Sequence, residues 1–366
     1  MQGKILSIHY LRGIAALLVV FFHFRSFLDN VYVQKDLGTM LFGSGAFGVD
    51  LFFMISGFII SLSTERTSSV SVFVTRRFFR IYPAFIIVFI LGSLTVYSSY
   101  STPELIRSMF FIHKDYTQQA PGFGFNILGP AWTLSYEIYF YSLFVLAMGI
   151  SHKHRTLITS LLLASPVFLL QIYYNGSISL SAKTSPDIQI GSPLYALVRF
   201  CSSPILLEFI FGMLIFELQK NITKKASKQS AMLILMSSIG VFLTLYFSGH
   251  GRVFGLTGFG TWSIILIAGV MIYDKSVGFG NIPALNFLGD ISYSIYLSHY
   301  VVIKILEEYR PEWWVSIDGI SRFIAATVAC MVVAFALFKF IETPFLNLGK
   351  LVESVIKNNR PPEIKA

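Results

Sequence analysis

Residues 8–28 read IHYLRGIAALLVVFFHFRSFL. A helix needs about 20 mostly apolar residues to cross a bilayer core of roughly 30 Å, and this stretch has them. It also holds Arg12 and, eleven positions on, His23. Ionisable groups inside a span are expensive and mark function by default. The stretch therefore predicts a first membrane span that already carries chemistry. It lacks a small-residue cleavage site, so it reads as a span and not as a removed leader.

Nine further stretches have the same character: 41–62, 80–99, 131–150, 156–174, 195–219, 230–248, 256–273, 288–306 and 317–341. The expected fold is all-α, a polytopic membrane helix bundle of about ten transmembrane helices. Composition agrees, with 54% hydrophobic and only 13% charged residues, where a soluble domain carries about 25% charged. The net charge of +9 is not read as a nucleic-acid signal. The cations cluster in alternate connections: Arg66, Arg76, Arg77 and Arg80, then Lys153 and Arg155, then Lys220, Lys224, Lys225 and Lys228, then Lys275. The positive-inside rule puts that set, and both termini, in the cytoplasm. The expected location is the bacterial inner membrane, with 1–350 as the membrane domain and 351–366 as a short polar cytoplasmic tail. Cys201 and Cys330 lie in apolar runs and read as small buried side chains.

Other polar residues interrupt the spans. Asp50 lies in FGVDLFFMISGF (47–58), Glu137 in WTLSYEIYFY (132–141), Glu208 in the sixth span, and Asp290 and His299 in LGDISYSIYLSHY (288–300). At 1.5 Å per residue, His23 lies about 16 Å beyond Arg12. The same arithmetic puts Asp50, Glu137 and His299 in a layer with His23, and Arg77 and Arg80 in a layer with Arg12. Arginines hold phosphates bidentately. A neutral imidazole takes a proton from an attacking hydroxyl, and a carboxylate beside it fixes its tautomer. His23, Glu137 and Asp50 are thus the candidate catalytic residues, and Arg12, Arg77 and Arg80 the candidate donor-binding ones. His299 and Trp132 are candidate substrate contacts. No phosphate-binding Walker loop, HExxH or GxSxG occurs, and no metal site is expected.

These residues resemble the membrane acyltransferase family 3. IHYLRGIAALLVVFFHF has the family's Arg, ten residues, His spacing. FGVDLFFMISGFIIS, the Arg77-x-x-Arg80 pair in RRFFRIYP, WTLSYEIYFY, LGDISYSIYLSH and IETP at 341–344 follow in the family's order. The resemblance covers nearly the whole chain. It implies transfer of an acyl group, commonly acetyl from acetyl-CoA, to a hydroxyl of a cell-surface or exported carbohydrate such as O-antigen, exopolysaccharide or Nod factor. Lipid-linked carbohydrates are among the acceptors the resemblance implies. It also implies that His23 is essential and that Arg12, Arg77 and Arg80 position the donor. The expected form is the stand-alone one, without an appended SGNH domain. His23 as general base and His23 as covalent acyl carrier both remain open. A carrier or flippase for a lipid-linked sugar is the alternative reading.

Overall fold

The computed structural model describes residues 5–222 and 225–358. Lys224 and residues 359–366 of the expected tail lie outside the described residues. Among those described there is no strand, and ten long helices follow the ten apolar stretches. They are α1 (Leu6–Phe24), α2 (Gly48–Thr64), α3 (Val70–Leu94), α4 (Trp132–Ile150), α5 (Arg155–Asn175), α6 (Leu207–Asn221), α7 (Lys228–Ser248), α8 (Phe259–Ser276), α9 (Pro283–Tyr309) and α10 (Gly319–Leu337). Seven helical segments are long and apolar enough to cross a membrane unaided, and an eighth counts if Tyr195–Cys201 and Pro204–Asn221, bent by 42°, form one span. The segments α8 and α9 fall outside that number. The chain is a multi-pass helical protein.

Local chemistry sets the helix ends. Ser69 Oγ accepts the N–H of Val72 at the start of α3, and Ser227 Oγ that of Ser230 at the start of α7, each satisfying an otherwise orphaned donor. Gly176 and Gly249 close α5 and α7 in the left-handed conformation, at φ 67° and 69°, where a Cβ would be strained. Past α10 the described residues continue as helix to Asn358. A π-turn over Phe338–Glu342 leads into α11 (Thr343–Asn358). Pro344 lacks the N–H that would continue the regular ladder, and a widened turn is a common way around such a gap. Residues 351–358 belong to this helix, which packs on α3: Arg76 Nη2 pairs with Glu353 Oε1 at 2.5 Å.

Two close approaches matter for the site. α1 and α9 run side by side in the same direction. A Cβ on Gly13 would lie 2.7 Å from the backbone nitrogen of Gly289, so both glycines are needed for the helices to touch. At the N-terminal side of the bundle, His9 Nε2 meets Asp290 Oδ1 at 3.2 Å. The second approach joins α2 to α6, where Gly57 and Gly212 face the backbone carbonyls of Phe209 and Met54. On the far side lies a short helix, Thr102–Met109, started by a Ser101–Glu104 capping box. The following turn is exposed, and there the hydroxyl and N–H of Thr117 hold the Asp115 carboxyl below its usual range.

Candidate active site

The residues between the helices build the site in two parts. The first is a cavity with about 810 Å³ of empty space, lined by Arg12, Arg77, Arg80, Glu137, Tyr141 and Tyr293 among others. A second hollow, of about 1110 Å³, opens at the N-terminal side and shares Arg12, Ile59 and Arg80 with the first. His9, Asp290, Asn347 and Lys350 stand at its mouth. The two together run from that side to the middle of the bundle.

The three arginines are not equivalent. Arg80 is ion-paired to Glu342, whose side chain is 1% exposed, and Glu342 Oε2 also accepts a hydrogen bond from Ser294 Oγ at 2.8 Å. The π-turn and IETP thus supply the counter-ion for the Arg-x-x-Arg pair. Arg77 lies over the rings of Phe73 and Tyr141, 5.9 and 5.8 Å from their centres, and its Nε has no hydrogen-bond partner. Arg12 is enclosed, with Arg80, Glu342 and Glu137 as its nearest charges. Among the described residues no hydrogen bond or ion pair fixes Arg12. The cavity therefore offers two cations that no carboxylate has claimed, which is the condition for binding an anion.

Glu137 does not lie beside His23. Its Oε1 accepts hydrogen bonds from Ser56 Oγ at 3.1 Å and from the Tyr141 hydroxyl, and it lines the arginine cavity. The depth argument put it level with His23, but α4 packs against α2 and α3, away from His23. Asp50 is elsewhere again. It is fully buried, its Oδ1 accepts the Gly255 N–H at 2.7 Å, and it lies beside Glu208, while its Oδ2 has no hydrogen-bond partner. It sits in the first turn of α2 and ties the loop before α8 to that helix. Trp132 packs against Phe53, Tyr136, Phe125 and Phe254 and does not line the cavity.

The second part lies beyond Tyr296. That ring lines the cavity and stands 6.0 Å from the ring of His299. His299 is in turn 5.1 Å from His23, centre to centre. His23 borders a separate hollow of about 730 Å³ of empty space on the far side, with Arg25, Asp29, Thr39, Tyr300 and Lys304. The structure thus brings together Arg12, Arg77, Arg80 and Glu137, and separately His23 and His299, with Tyr296 between the two groups. Sequence reading missed Tyr141, Ser56 and Tyr296. Their places in WTLSYEIYFY, FGVDLFFMISGF and LGDISYSIYLSHY were the only signal. No cluster of three or more His, Cys, Asp or Glu able to hold a metal occurs among the described residues.

Comparison with known proteins gives this geometry a context. The family described as "Acyltransferase domain" matches residues 5–339. The exopolysaccharide production protein ExoZ of Rhizobium meliloti is 26% identical over 323 residues, covering 84% of this chain and 92% of its own. The O-acetyltransferase OatA of Staphylococcus aureus is 27% identical over 383 residues, covering 94% of this chain but only 59% of its own length. The acyltransferase MdmB of Streptomyces mycarofaciens is 24% identical, covering 93% and 92%. No solved structure matches the chain. The chain belongs to this acyltransferase-domain family.

Proposed function

We propose that this membrane acyltransferase moves an acetyl group from acetyl-CoA to a hydroxyl of a cell-surface or exported carbohydrate, in the bacterial inner membrane with both termini in the cytoplasm. The observation that carries the reading is the arginine cavity, with Arg12 and Arg77 unclaimed by any carboxylate and an opening on the N-terminal side. CoA brings phosphates, which suit these cations, and a long thin arm. Arg12, Arg77 and Arg80 hold the phosphate end, and the arm runs past Glu137 and Tyr141 toward Tyr296. His23 meets the acceptor from the far hollow and takes the proton of its hydroxyl. The relatives support a polysaccharide acceptor, since one is named for exopolysaccharide production and another as an O-acetyltransferase.

The thioester gives up its acyl carbon to the acceptor oxygen, the C–S bond breaks, and the sulfur leaves with the electron pair. The test is purified protein in lipid with labelled acetyl-CoA and host polysaccharide. Label in ester linkage to the sugar supports the reading. A protein that moves the sugar lipid across the bilayer and leaves acetyl-CoA unbound would be a carrier.

A further inference from the structure

The site leaves a question open. A histidine acting as base works best when a partner fixes its tautomer. The two carboxylates expected in that role both lie elsewhere, Glu137 with Ser56 and Tyr141 and Asp50 with the Gly255 N–H. Of the polar rings around His23 the nearest is His299, with ring centres 5.1 Å apart and planes tilted by 43°.

His299 is held in a defined state. It is 0% exposed. Its Nδ1 lies 3.2 Å from the carbonyl oxygen of Ile295. A carbonyl only accepts, so Nδ1 carries the hydrogen and Nε2 presents a lone pair. That Nε2 is buried and has no hydrogen-bond partner. An orphaned acceptor in a dry interior costs about 1–3 kcal/mol, so the fold retains it for a reason. With its centre 5.1 Å from that of His299, the His23 ring can bring a nitrogen to that Nε2 by turning about its side-chain bonds, a contact the two rings do not make as they stand.

The register of α1 on α9 explains the meeting. Gly13 touches Gly289, and the two helices run in the same direction. His23 lies ten residues after Gly13, and His299 ten residues after Gly289. Equal steps along parallel helices from a shared contact bring the two rings to the same level. Tyr300 adds a wall on the His23 side, 5.5 Å from its ring.

Resting on the acyl-transfer reading above, we propose that His299 is the positioning residue of a two-imidazole unit. Its Nε2 accepts one ring N–H of His23 and so turns the other ring nitrogen, as a lone pair, toward the acceptor hydroxyl. In the transfer step the acceptor O–H proton goes to that nitrogen as the acceptor oxygen bonds to the acyl carbon. The C–S bond breaks, and the thiolate later takes the proton back from His23. Alcohol and thioester become ester and thiol, and His299 keeps its own hydrogen throughout, sharing only the positive charge that forms on His23. A neutral partner suits this depth. A carboxylate there would be a buried ion with no counter-charge, whereas a second imidazole supplies the acceptor without one.

The test compares His299→Gln with His299→Met in the full-length protein in lipid. The two side chains have similar length, but only Gln keeps a strong acceptor. Thiol release from acetyl-CoA and transfer to host polysaccharide give kcat and KM, and thermal unfolding checks the fold. His299→Met is expected to lower kcat about tenfold to a hundredfold, the order found when a partner that orients a functional histidine is removed. Its KM for acetyl-CoA stays within about twofold, since His299 lies outside the arginine cavity. His299→Gln regains a substantial part of the loss. Equal kcat in both variants, whether near wild type or equally low in two folded proteins, would overturn the proposal and leave His299 a packing residue. A wild-type protein that transfers no acetyl group would instead remove the reading beneath it.

Discussion

Replacing Arg80 with Ala should cost stability before it costs donor affinity, and replacing Arg77 should do the reverse. Arg80 is ion-paired to Glu342, with side chains 22% and 1% exposed. Removing the arginine leaves that carboxylate buried with only the Ser294 hydroxyl, at 2.8 Å, to support it. Breaking a buried pair by deleting one partner costs about 3–5 kcal/mol. Arg80 borders the cavity, where water relieves part of the charge left behind, so we expect about 3 kcal/mol. Removing both charges, in Arg80→Met with Glu342→Leu, should recover most of the loss, because no uncompensated ion remains.

Arg77 has no such partner. Its contacts with the rings of Phe73 and Tyr141 are worth about 0.5–1 kcal/mol at most sites of this kind. Arg77→Ala should therefore unfold within about 1 kcal/mol of wild type. It should weaken acetyl-CoA binding by about 1.5–3 kcal/mol, the worth of a charged hydrogen bond. Thermal unfolding in detergent and equilibrium binding of acetyl-CoA separate the two effects. An Arg80→Ala protein as stable as wild type but at least tenfold weaker for donor would refute the assignment of Arg80 to the Glu342 pair.

His23→Ala should abolish transfer, by about a hundredfold or more, and leave acetyl-CoA affinity within about threefold, because His23 lies on the far side of Tyr296; loss of both in a folded protein would place it in the donor site. Glu208→Gln should be at least as stable as wild type in thermal unfolding, because both Glu208 carboxyl oxygens are buried without a hydrogen-bond partner and an amide adds a donor toward Asp50; a variant clearly less stable than wild type would argue against that reading. Gly289→Val should separate α1 from α9, because a Cβ there already meets the His9 ring nitrogen at 2.6 Å, so transfer should fall with donor binding less affected; full activity would show that the rings need no fixed register. Reporter fusions after Tyr174 and after Asn221 should report opposite sides of the membrane, and the same side for both would contradict the cytoplasmic placement of the termini.

The helix positions were legible because membrane length is a one-dimensional property of sequence. Arg12 and His23 were legible because both lie on one helix, where spacing converts directly into distance. What could not be read is which helices are neighbours. Glu137 and Asp50 both passed the depth argument, yet one faces the arginine cavity and the other faces Glu208. Depth fixes one coordinate of three, and packing of α2, α4, α6 and α9 fixes the others. The Arg80–Glu342 pair spans 262 positions, and only the π-turn before Pro344 aims Glu342 at it. One cue was present and unused: Gly13 to His23 and Gly289 to His299 have the same length. Paired glycines at equal distance from paired histidines on two spans predict a parallel contact.

The α1–α9 contact also explains how one fold can hold two incompatible environments. Anion binding needs exposed cations and an opening to water, and here Arg12 precedes the glycine contact by one residue. The His23 ring stands apart from those three arginines, in a hollow whose own cations are Arg25 and Lys304 and whose carboxylates include Asp29 and Glu307. His23 lies ten residues beyond Gly13 on the same helix, with Tyr296 and His299 between it and the cavity. A rigid helix fixes the separation at about 15 Å, so neither site can drift toward the other as side chains move. On the function proposed above, the element that crosses the gap is the long arm of the donor. Catalysis on this plan requires the Tyr296 layer to admit an acyl group and little else, and the hydrogen bonds of the Tyr296 hydroxyl to Thr133 and Pro130, at 3.0 and 3.1 Å, keep that layer in place.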